Sequence, residues 1–215
     1  AQNVLKQALV QAQAAGDLRT EAQVKNNLAS LWILASRKYR APNEEPDIYL
    51  LESLKIAEGL GDKSLESGIR ANLGNLLVGM GNYEDAVWNF KQAVDQAEKD
   101  GNQELAARCR IGMSTAAAFH GSMSLAEEFA GGAEMNIAKA KNGRDKALLY
   151  IKLGDVYSRM MDNASDRAQR GAYLVKGGVQ YHKSVLEARK VGDEESQTYS
   201  IGFLAGLYET EGRYA

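Results

Sequence analysis

Apolar residues recur at helical spacing along almost the whole chain. Leu73, Leu76, Leu77 and Met80 form one stripe; Ala86, Phe90 and Ala93 form the next. Residues three and four apart share one face of a helix, so each stripe predicts an amphipathic helix with a buried side. Short breaks separate the stripes. Ala15-Gly16-Asp17, Leu60-Gly61-Asp62, Asp100-Gly101-Asn102 and Val191-Gly192-Asp193 are near-copies, and Asn142-Gly143 with Asp145 is a looser one. Glycine closes a helix in the left-handed conformation, and Asp or Asn after it caps the next helix. The order predicted is helix, tight turn, helix, again and again.

The pattern is periodic. The leading apolar residues Leu28, Leu73, Met113, Leu153 and Leu204 stand 45, 40, 40 and 51 residues apart. Behind each leader comes a small residue, and the copies led by Leu73 and Met113 add spaced alanines (Ala86 and Ala93; Ala126, Ala130 and Ala133). The copy from Ser67 to Asp100 is the clearest, with Leu73, Gly74, Leu77, Gly81, Tyr83, Ala86, Phe90 and Ala93. The third copy replaces Leu-Gly with Met113-Ser114 and is rich in Ala and Gly, so its helices are expected to pack at a different distance. The 45-residue interval implies an insertion of about five residues near 40–47, where both prolines fall (Pro42 and Pro46). A loop is expected there, with Asp47 capping the next helix. The 51-residue interval implies about eleven extra residues near 162–178, either lengthened helices or an ordered loop.

These spacings resemble the tetratricopeptide repeat, whose helix pairs carry Leu-Gly, an aromatic, Gly, Tyr, Ala, aromatic and Ala at fixed positions. The usual period is about 34 residues; the 40 here resembles the longer repeats of kinesin light chains and Pins-type adaptors. The resemblance covers nearly the whole chain. It implies an all-α, right-handed α-solenoid: a single array over 1–215, about five repeats, with half-repeats at both ends. Leu5 to Ala15 reads as a second helix without its first, and Glu211 to Ala215 stops at a turn. An array of this kind is expected to belong to a longer protein.

Composition changes this picture little. Net charge is −2 with no basic tract, which argues against nucleic-acid binding. No apolar run is long enough to span a membrane. The single cysteine, Cys109, excludes an internal disulfide framework and a cysteine-based zinc site, and suits a reducing, cytoplasmic compartment. His120 and His182 have no metal-ligand spacing around them. Gly59-Leu60-Gly61-Asp62-Lys63-Ser64 lacks the order of a phosphate loop. Asn163-Ala164-Ser165 matches a glycosylation triplet, which is common by chance. Cys109, between Arg108 and Arg110, is expected to be quiet, and Trp88 to pack between repeats. No catalytic constellation or cofactor motif is found, so a non-enzymatic protein without a cofactor is expected.

The resemblance directs attention to the first helix of each repeat, which lines the concave face in that family. The positions it implies include Gln23, Asn26, Asn27 and Ser30; Asn72 and Asn75; Arg108, Thr115 and Phe119; Lys152, Asp155 and Arg159; and Tyr199, Phe203 and Glu209. Asn is a poor helix-interior residue, so Asn27, Asn72 and Asn75 ask for a reason. An amide has donors and an acceptor for an extended backbone, and the adaptors named above use such an asparagine ladder. The ladder breaks at Gly112, Lys152 and Phe203. Arg108, Lys152 and Arg159 suit carboxylates of a partner. The expected partner-binding residues are Asn27, Asn72, Asn75, Arg108, Lys152, Asp155 and Arg159. The expected role is a scaffold that holds a peptide or helical segment of another protein, with no nucleic acid and no membrane partner. The alternative is a regulatory or sensor array whose effector domain lies elsewhere. Oligomeric state is left open.

Overall fold

The protein is an all-α solenoid of helix pairs that follow one another in sequence order. It is described from a computed structural model covering residues 2–36, 45–141 and 143–210. The chain divides into two compact units, Ala1–Gly101 and Asn102–Ala215. The first holds α1 (Gln2–Ala15), α2 (Leu18–Ser36), α3 (Pro46–Leu60), α4 (Lys63–Met80) and α5 (Tyr83–Lys99). The second holds α6 (Gln103–Phe119), α7 (Met123–Lys139), α8 (Arg144–Asp162), α9 (Arg167–Lys190) and α10 (Glu194–Thr210). Within them α2 pairs with α3, α4 with α5, α6 with α7 and α8 with α9.

The Gly-Asp breaks act as the sequence predicts. At the end of α3, Gly61 has φ 65°, and the next N–H, that of Asp62, donates to the Ala57 carbonyl at 3.0 Å. The Asp62 carboxylate then accepts the Leu65 N–H at 2.9 Å, which starts α4. One dipeptide thus satisfies orphan groups of two helices. Asn102 repeats the device by accepting from Leu105 N–H at 3.0 Å.

The small-residue positions set how closely the helices of a pair approach. A Cβ on Gly74 would lie 2.7 Å from the Phe90 ring, and one on Gly154 would lie 2.5 Å from the Tyr181 ring. Both rings are almost fully buried. The Leu-Gly signature therefore marks where an aromatic of the second helix lies flat on the backbone of the first. In the third copy Ala130 stands where Phe90 would be. There the Ser114 hydroxyl donates to the Ala126 carbonyl at 2.6 Å, so a buried hydrogen bond joins α6 to α7 where the others use a ring.

Several local expectations are corrected. Asp47 does not cap α3: Glu45 occupies the cap and Pro46 the first helical position, so Asp47 lies inside the first turn. Proline suits that position because its missing N–H has no partner to lose. Met80 is 69% exposed. It ends α4 beside the Gly81 turn, where α5 has not yet begun to cover it. Trp88 is 54% exposed, with the Arg70 guanidinium over its ring at 5.3 Å. Most of the extra residues near 162–178 lengthen a helix: α9 has 24 residues against 17 in both α5 and α7. The other insertion falls largely on residues 37–44, and Asn142 and residues 211–215 likewise lie outside the described residues.

Candidate functional site

In the first unit one asparagine pair joins α2 to α4. The Asn72 amide donates to the Asn26 side-chain oxygen at 2.8 Å. Asn75 is half-buried one turn further along α4, and Asn27 is exposed on α2. The amide that meets Asn72 thus belongs to Asn26, one residue before Asn27. The neighbouring charges of this unit are engaged internally. Lys25 lies between Glu21 at 2.6 Å and Glu52 at 2.9 Å. Arg70 bridges Glu66 and Glu58 at 2.8 and 3.0 Å while it covers Trp88.

In the second unit the first helices of successive pairs present three stripes at helical spacing. Arg108, Gly112, Thr115 and Phe119 lie along α6; Leu148, Lys152, Asp155 and Arg159 along α8; Tyr199, Phe203 and Gly206 along α10. Successive members are four, three and four residues apart, one face of a helix. The α6 and α8 stripes meet directly. The Arg159 guanidinium lies over the Phe119 ring at 4.4 Å, joining α8 to α6. Arg108, Lys152 and Arg159 are all exposed. So are Phe119 (45%), Leu148 (36%), Tyr199 (58%) and Phe203 (40%).

On α10, Glu209 is exposed and Glu194 and Glu195 line a pocket with Tyr199 and Phe203; on α8, Asp155 is half-buried. The Tyr181 hydroxyl, from α9, donates to it at 2.8 Å, and Ser158 stands 3.2 Å from the same hydroxyl. Burial raises the Asp155 carboxyl above the ordinary range, against the opposing pull of Tyr181, Arg159 and Lys152. Burial and the facing Asp155 carboxylate also push the Tyr181 phenol up, so it stays a neutral donor. The Tyr181 ring stacks on Phe203 with centroids 5.1 Å apart and planes at 11°. One buried residue therefore ties the carboxylate of α8 to the exposed aromatic of α10.

Of the seven residues the sequence nominates, Asn27, Asn72 and Asn75 fall in the first unit and Arg108, Lys152, Asp155 and Arg159 in the second. Sequence reasoning missed Tyr181. Its signal was there: it follows Gly154 by the interval of a Leu-Gly glycine and its ring, lengthened by the extra residues of α9. Leu148, exposed on the same face of α8, was not among the nominated residues.

Other candidates do not converge into a reactive centre. Cys109 is fully buried, and burial pushes its thiol up to about 12, outweighing nearby Arg108. His120 caps the end of α6 and His182 is exposed on α9. Among the described residues no three His, Cys, Asp or Glu side chains gather as a metal site, and no helix is long and apolar enough to cross a membrane. An apolar cleft of about 450 Å³ runs between α9 and α10, lined by Leu174, Val175, Val179, Leu204 and Tyr208 among others.

No protein-family model and no curated protein sequence matches the chain. Solved structures are similar to it in fold. One is a Rap protein complexed with competence and sporulation factor, with TM-score 0.60 and 14% identity, covering 97% of this chain and 58% of that one. Another is BtubC from P. vanneervenii, with TM-score 0.58 and 15% identity, covering all of this chain and 92% of that one. The chain thus spans less than two thirds of the Rap protein's length. These likenesses show an all-helical repeat fold.

Proposed function

We propose that the chain is a non-enzymatic interaction scaffold, and that the first helices of its repeats hold a peptide or helical segment of a partner protein. The observation that carries this reading is the α6–α8–α10 surface. Arginine and aromatic side chains, the residue types enriched at the centres of protein interfaces, stand exposed on it together. The Rap protein similar in fold was solved with a bound factor, which supports the same use of the fold. We read the repeats as the long tetratricopeptide kind found in kinesin light chains and Pins-type adaptors, and the Asn26–Asn72 pair as a rung of an amide ladder.

The test is affinity capture with the wild-type chain and an Asn75→Ala/Lys152→Ala/Arg159→Ala variant of equal helicity, with bound proteins identified by mass spectrometry. A partner held by wild type and lost by the variant is expected. A partner held equally by both contradicts the reading. A second reading, a sensor array within a larger protein, is favoured by the Rap protein's greater length. It predicts that the partner is a domain of the same polypeptide.

A further inference from the structure

We propose that the chain associates with itself head to tail, α1 of one copy seating on α10 and the α9–α10 cleft of another as the second helix of a pair. Each of the first helices α2, α4, α6 and α8 is covered by the helix that follows it. Among the described residues α10 has no such helix on it, and α1 has the form of a second helix with no first helix before it. The residues open on α10 are those the other pairs cover. With Leu204 as the counterpart of Leu73, Ala205 stands where Gly74 does and Tyr208 where Leu77 does. Gly74, Ser114 and Gly154 are buried at this position, whereas Ala205 is exposed and Tyr208 is 54% exposed. The apolar cleft of about 450 Å³ continues this face onto α9, where Val175 and Val179 are exposed. The outer face of a solenoid's end is normally polar, and this one is not.

α1 matches that face in register. Aligned by its closing glycine, Gly16 against Gly101, it sets Val4, Leu5, Ala8 and Ala12 where α5 has Asn89, Phe90, Ala93 and Ala97. All four of those α5 residues are buried. Val4 is 67% exposed, and Leu5 and Ala8 are only half-buried. Size matches as well. A flat ring lies on Gly74 and on Gly154, where an added Cβ would meet it at 2.7 and 2.5 Å. Ala205 already carries that Cβ, so the helix it receives must present something other than a ring, and α1 presents Leu5. Lys6 is the one charged side chain of α1, so covering this helix desolvates little. The two copies contribute different surfaces, so each bound copy keeps one surface open and further copies add on.

The test is sedimentation velocity of the full 215-residue chain over a concentration series. The weight-average mass is expected to rise with concentration beyond that of a dimer. Val4→Glu, which spoils the α1 face, and Ala205→Glu/Tyr208→Glu, which spoils the α10 face, should each raise the dissociation constant at least about tenfold by burying a charge. All three positions are exposed, so both variants should keep the wild-type far-ultraviolet circular dichroism. Mixed together, the two variants should form a dimer and stop there, because one intact α1 face and one intact α10 face remain. That dimer also shows that both variants are folded. A chain that stays monomeric at every concentration overturns the proposal. Wild-type association that stops at a dimer, or that persists unchanged in either variant, overturns it in favour of a symmetric contact elsewhere.

Discussion

Replacing Gly154 with alanine tests the packing logic of the repeat. A Cβ there would sit 2.5 to 2.7 Å from three atoms of the Tyr181 ring, where carbon atoms rest at roughly 3.5 to 4.0 Å. The ring would have to move by about 1 Å. It is not free to do so: its hydroxyl is bonded to Asp155 at 2.8 Å and its face is stacked on Phe203. Overpacking of this kind costs about 1–3 kcal/mol. Losing the bond to the carboxylate would add about 1.5–3 kcal/mol. Against this, alanine gains about 1 kcal/mol over glycine inside a helix. The net expectation is a loss of about 1.5–5 kcal/mol, read as a lower urea midpoint by far-ultraviolet circular dichroism. Gly68→Ala is the internal control: nothing lies within 4 Å of the Cβ it would add to α4, so it should gain about 0.5–1 kcal/mol. Pairing Gly154→Ala with Tyr181→Leu should recover part of the loss, because the smaller side chain vacates the clash. A Gly154→Ala chain as stable as wild type would refute the close approach.

Three further outcomes follow from the same structure. Cys109 should react with a thiol reagent far more slowly in the native chain at neutral pH than in denaturant, since it is buried and its thiol is pushed up to about 12; equal rates would contradict its burial. Asp62→Ala should cost about 1 kcal/mol by removing the cap of α4 and the ion pair to Arg19 at 2.7 Å. The Leu65 N–H and then Arg19 hold the Asp62 carboxyl below its usual range, so its contribution is present above that range and lost as the pH falls through it. Asp155 has the opposite sign. Its carboxyl is raised, so its ionisation lowers stability as pH climbs from the ordinary carboxylate value to the raised one, and Asp155→Asn should abolish that part of the pH dependence of the melting temperature.

Much of the architecture was legible because this fold is built from local rules. The Gly-Asp breaks mark helix ends through backbone conformation and capping, which depend on a few adjacent residues. Leu73-Gly74 and Leu153-Gly154 mark helix pairs because only glycine admits a flat ring at that distance. What sequence could not give was cover. Met80 keeps the apolar period of its helix yet ends beyond the reach of α5. Asp47 was expected to cap the helix after a loop holding both prolines, but Pro46 had already begun the helix. The same limit applies to the site. The exposed cations were nominated from the positions that the family resemblance implies. That Asp155 is engaged by Tyr181, and that Phe203 stacks on the same ring, depends on contacts between three helices and a lengthened α9.

The most direct test of the interaction surface is an amide chemical-shift map of the isotope-labelled chain titrated with a segment of the partner recovered by affinity capture. The account predicts shifts concentrated along Arg108–Phe119 of α6, Leu148–Arg159 of α8 and Tyr199–Gly206 of α10. Shifts gathered instead around Val175 and Val179 of the α9–α10 cleft would contradict it.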